Sequence, residues 1–61
     1  MTRVIRQHDF AGGGRVVIER SALGQVAEYD VVRISRTGRR TYVGGGTKRE
    51  ALDAFRKAVA A

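Results

Sequence analysis

The spacing of apolar residues changes rhythm along this chain, and each change marks an element. Between residues 15 and 43 the apolar positions come in short β-branched or aromatic runs. Arg15-Val-Val-Ile-Glu-Arg20 is the first run, and Val26 to Arg36, with Tyr29, Val31, Val32 and Ile34, is the longest. Arg39 to Val43 is the last. Such residues suit a pleated, half-buried surface, so three strands are predicted. Ser21 to Gln25, with Gly24, makes the first turn. Thr37-Gly38 fits a two-residue hairpin, where glycine supplies the positive φ. Ala11-Gly12-Gly13-Gly14 and Gly44-Gly45-Gly46 break regular structure on either side of this region. Residues 3–8 form either a short edge strand or an ordered arm.

From Thr47 the period lengthens to three and four. Ala51, Leu52, Phe55, Ala58 and Val59 make one apolar stripe, with Lys48, Arg49, Asp53, Arg56 and Lys57 around the rest. Thr47-Lys48-Arg49-Glu50 has the form of a capping box, in which the threonine hydroxyl and the glutamate each satisfy a free amide. A helix over about residues 47–60 follows.

Alternation along the strands then assigns faces. One helix covers one face of a sheet and leaves the other open. This places Val16, Ile18, Val32, Ile34 and Val43 under Leu52, Phe55 and Val59. The open face then carries Arg15, Val17, Glu19, Tyr29, Val31, Arg33, Ser35, Arg40 and Tyr42. A register slip of one residue exchanges the two sets. The expected fold is α+β, a single small domain over residues 1–61. Its antiparallel sheet has three strands, or four if residues 1–13 join as an edge strand, and it packs on one C-terminal helix.

Size sharpens the demand on this core. A chain of 61 residues buries only about 60% of the surface its unfolded form exposes. There is no cysteine, and His8 is the single imidazole, so neither a disulfide nor a metal cluster is expected as a staple. Efficient packing or a partner subunit must serve instead, which keeps a homodimer in view. No secretory pattern and no apolar run near the ~20 residues that span a bilayer occurs, so a cytoplasmic protein without membrane association is expected.

Charge adds the functional lead. The net charge is +6, and residues 1–30 balance to zero. The surplus lies beyond them, where Arg33, Arg36, Arg39 and Arg40 cluster with no acid between. Arginine's planar fork suits bidentate contact with phosphate or guanine edges. Catalysis is not expected, since one histidine, two serines and six scattered acids form no nucleophile–base pair or carboxylate dyad. No cofactor site is expected either. Gly44-Gly45-Gly46-Thr47-Lys48 lacks phosphate-loop spacing, which leaves a plain turn with a helix cap or a seat for one anion beside Lys48 and Arg49.

Three local stretches carry a family resemblance: Arg40-Thr41-Tyr42-Val43-Gly44, then Thr47-Lys48-Arg49-Glu50-Ala51, then Ala54-Phe55. They resemble the end of plant Apetala-type (ethylene-response-factor) DNA-binding domains and of the arm-site-binding domain of phage-type tyrosine recombinases. In those families a last strand ends in glycine, followed by Thr-x-x-Glu-Ala and a helix with an Ala/aromatic pair. This chain departs from them in having no tryptophan, no first-strand signature and an extra Gly45. The resemblance implies a sheet lying in the DNA major groove, with Arg15, Arg20, Arg33, Arg40 and Tyr42 as contacts and the helix as backing.

The expected function is DNA binding through the open sheet face and the arginine-rich hairpin. Arg15, Arg20, Arg33, Arg36, Arg39, Arg40, Tyr42, Lys48 and Arg49 are the contact candidates. A phage or mobile-element accessory factor or regulator, nucleoid-associated, fits this reading, and RNA ranks behind DNA. The alternative is a protein-binding or inhibitor module, or a homodimer, using Val17, Tyr29, Val31 and Tyr42 or an edge strand.

Overall fold

The computed structural model describes residues 2–23 and 26–61. Along the chain come β1 (Thr2–Asp9), β2 (Arg15–Leu23), β3 (Val26–Ile34), β4 (Arg40–Gly46) and α1 (Lys48–Ala60). Among the described residues the four strands form one antiparallel sheet in the order β1-β2-β3-β4, and α1 packs across one of its faces. The architecture is therefore α+β, with β1 as an edge strand rather than an arm. Of the turn expected over Ser21 to Gln25, Gly24 and Gln25 lie outside the described residues.

Local chemistry explains where the elements differ from expectation. The β3–β4 connection is five residues, Ser35 to Arg39, three longer than the two-residue turn predicted. The Ser35 amide donates to the Arg39 carbonyl at 2.8 Å, and the Gly38 amide donates to the Ser35 carbonyl at 2.9 Å, with Gly38 at φ +93°. The Ser35 hydroxyl also accepts from the Arg39 amide at 3.0 Å, so this side chain helps to hold the longer loop closed. Arg36 and Arg39 thus belong to the tip, not to the strands.

Gly44, Gly45 and Gly46 were expected to end the last strand, yet they are its final residues. Their role is close approach. A Cβ on Gly44 would stand 2.6 Å from the Ala54 Cβ, so only glycine lets α1 lie this near β4. The helix starts as predicted. The Thr47 hydroxyl accepts from the Glu50 amide at 3.2 Å, and the Glu50 carboxylate accepts from the Thr47 amide at 3.1 Å.

The core lies between the sheet and α1. Val16, Ile18, Val31, Ala51 and Phe55 form it, with Phe10, Tyr29, Leu52, Ala54, Ala58 and Val59 packed around them. This corrects the predicted faces along β3. Val31 and Tyr29 lie under the helix, while Val32 and Ile34 belong to the open face. The register is decisive: Ile18 pairs with Val31 and Arg20 with Tyr29, whereas Val17 pairs with Val32. β3 carries apolar residues at both parities, but only the parity of Val32 and Ile34 includes acids, Glu28 and Asp30, while the other includes Arg33. Burying that parity would turn both carboxylates toward the helix, at the cost of desolvating unpaired charge. Arg33 and Arg20 share the helix side for the same reason.

Candidate nucleic-acid interface

With the register established, every charge can be placed on a side of the sheet. The open face carries Arg15 and Arg40 against Asp9, Glu19, Glu28 and Asp30, a balance of −2 within a net charge of +6. Both of its arginines are engaged. Arg15 Nε lies 3.7 Å from Asp9 Oδ1, and Arg40 Nη2 lies 2.5 Å from Glu19 Oε1.

The second pair does structural work. Arg40 stands on β4 opposite Ile34, and Glu19 stands on β2 opposite Asp30, so the bridge runs diagonally over Val32 on the strand between. Val32 is fully buried although, among the described residues, no element covers this face, and Val17 beside it is 2% exposed. The hydrogen bond to Glu19, followed by the Coulomb attraction, raises the Arg40 guanidinium above its ordinary pKa.

The helix side is the opposite in sign. α1 packs over β2, β3 and β4 and leaves the inner face of β1 beside it. A groove results between β1 and the helix. One part is lined by Ile5, Arg6, Ile18, Arg20, Tyr29, Lys48 and Leu52. The next part shares Arg6 and adds His8, Phe55, Arg56 and Val59. Among the described residues, no acid lines either part. Arg3, opposite Arg20, extends the basic row at the outer end.

Helical geometry explains this sorting. Lys48, Leu52, Phe55, Arg56 and Val59 follow one flank of α1 at three- and four-residue steps, toward β1. Glu50, Asp53 and Lys57 follow the other flank, where they meet Arg33, Val43 and Gly44 in a groove of mixed charge beside β4. The two acids of α1 are thus both on the β4 side.

The basic row continues beyond the groove. Arg33 pairs across the sheet with Val16, which itself pairs with His8. Its guanidinium sits 5.4 Å above the ring centre of Phe10, which meets His8 edge-on at 5.1 Å. The tip of the β3–β4 hairpin then adds Arg36 and Arg39, both exposed.

The predicted contact residues therefore fall into separate groups. Arg15, Arg40 and Tyr42 are on the open face, Arg20 and Lys48 line the groove, and Arg33 lies on the helix side against Phe10. Arg36 and Arg39 form the tip, and Arg49 is exposed on the first turn of α1. Arg20 and Arg33 do not share the open face with Arg15 and Arg40. The alternative interface set is not a surface patch either. Val31 and Val17 are buried, Tyr29 is packed against the core, and Tyr42 alone of the set is largely exposed, at 69%.

At the glycine run the helix N-terminus already has an internal acceptor. The Glu50 carboxylate takes the Thr47 amide, and a Cβ on Gly46 would lie 2.9 Å from that carboxylate oxygen. Sequence reading missed Arg3, Arg6, His8 and Arg56 as members of one site. One signal pointed to them: a single helix is too narrow for four strands, so an edge strand's inner face stays open beside it. Among the described residues, no group of histidine, cysteine and carboxylates could hold a metal ion, and no helix is long and apolar enough to cross a membrane. Compared with protein-family models, curated proteins and solved structures, the chain matches none.

Proposed function

We propose that this protein binds nucleic acid, with DNA as the first candidate, through the groove between β1 and α1 and the hairpin tip beyond it. The observation that carries the reading is the separation of charge. The open sheet face is net negative with both arginines paired, while the cations of the groove face solvent without a carboxylate among its lining residues. Solubility alone asks only for net charge, not for one sign gathered along one groove. A basic row of this kind suits the regular negative charge of a phosphate backbone.

This reading departs from the sheet-in-groove arrangement that the family resemblance implies. A face with four carboxylates and two engaged arginines repels phosphate, and freeing Arg40 would uncover Val32. Among the described residues, the helix side offers unpaired guanidinium groups instead. Contacts of this kind position a protein on the duplex and do not by themselves read sequence.

The test is a fluorescence-anisotropy titration against random duplex DNA at a series of salt concentrations. Each phosphate neutralised on B-DNA contributes about −0.9 to the slope of log affinity against log salt. A steep negative slope supports the reading. An absence of binding at low salt, from a protein this basic, would remove it.

A further inference from the structure

We infer that the end of the groove enclosed by Arg6, Arg20 and Lys48 is a phosphate seat, the fixed point at which one backbone phosphate docks. This rests on the nucleic-acid reading above and gives it a defined site.

Three cations from three different elements line one concavity there, from β1, β2 and the first turn of α1. Arg20 pairs with Tyr29, and Arg6 pairs with Ile18 two residues back along β2, so the two guanidinium groups rise from neighbouring positions on one face. Diagonal neighbours on a sheet face are about 7–8 Å apart at their origins, within joint reach of one tetrahedral anion for side chains of this length. None of the three side chains makes an ion pair or hydrogen bond among the described residues. Glu50, the nearest acid in sequence to Lys48, is on the other flank of the helix and is held by the Thr47 amide.

The floor strengthens the attraction. Ile18 is 1% exposed, and Leu52 and Tyr29 are half-buried against the core, so an anion here lies against apolar atoms instead of water on one side. Charge pairs act more strongly near such a surface. In the free protein the three like charges repel, and an anion relieves that repulsion. The hairpin-tip arginines are exposed, and Arg56 and His8 line a separate part of the groove. Phosphate oxyanion is the ligand chemistry, and it has two sources: a nucleic-acid backbone or a free phosphate compound.

The full chain is titrated with inorganic phosphate while its backbone amides are followed by NMR, with ionic strength held constant by chloride. Saturable shifts centred on Arg6, Arg20, Tyr29 and Lys48 are expected. They should disappear in Arg20→Ala and in Lys48→Ala, and persist in Arg15→Ala on the open face. In parallel, Arg20→Ala should weaken duplex DNA binding roughly tenfold, the scale of one lost charge-assisted hydrogen bond.

Loss of both phosphate and duplex binding in Arg20→Ala supports the seat as a backbone anchor. Loss of phosphate with duplex binding intact overturns the link to nucleic acid and assigns the cleft to a free phosphate compound. Duplex binding by the wild type, with no saturable phosphate shifts in the cleft, overturns the seat and leaves the interface standing. Binding of neither ligand overturns both readings.

Discussion

Single residues show how little slack the structure holds. Gly44 is the clearest case, because any Cβ there would stand 2.6 Å from the Ala54 Cβ and push α1 off the sheet. Gly44→Val should lower unfolding stability by about 1–3 kcal/mol, the usual cost of overpacking, as measured in urea. Val31 tests the corrected face of β3. It is fully buried in the core cluster, so Val31→Asp should abolish the cooperative unfolding transition. Tyr42→Ser, by contrast, should change stability by no more than about 0.5 kcal/mol, because that ring is 69% exposed. Had the predicted faces been correct, Val31 would lie on the open face and Val31→Asp would leave the cooperative transition in place.

At the scale of elements, the helix was the most legible part of the chain. Its cap, its apolar stripe and its length all point the same way, and Thr47 with Glu50 forms the predicted box. Thr47→Ala should cost about 0.5–2 kcal/mol in a urea titration, since it leaves the Glu50 amide without its acceptor. The existence of β2, β3 and β4 was legible too, from their β-branched runs. Two features were not. The face of β3 was ambiguous because Val31, Val32 and Ile34 supply both parities, and what distinguishes them is the pair of acids Glu28 and Asp30 on one parity against Arg33 on the other. β1 reads as polar, and its pairing with β2 depends on contacts far apart in sequence that no local pattern reveals. The same gap hid the groove, whose members Arg3, Arg6 and His8 belong to that strand. An element that looks least structured in sequence thus forms one wall of the candidate site.

The whole molecule is elongated, 38 Å along its longest axis, with its charges divided between two faces. At 3.4 Å per base pair, a protein of this length covers at most about 11 base pairs as a monomer. A stoichiometric titration should therefore return a site size of about one helical turn or less, and a larger value would indicate that more than one copy binds. Where the charge resides, rather than how much of it there is, is the central claim. The most direct test compares two double variants with the same net charge, Arg6→Ala/Arg20→Ala in the groove and Arg15→Ala/Arg40→Ala on the open face, in duplex DNA titrations across salt. The groove variant should bind more weakly and reduce the salt slope by about 2, while the open-face variant stays close to wild type. Equal loss in the two variants would mean that only total charge matters, and a greater loss in the open-face variant would return the interface to the sheet.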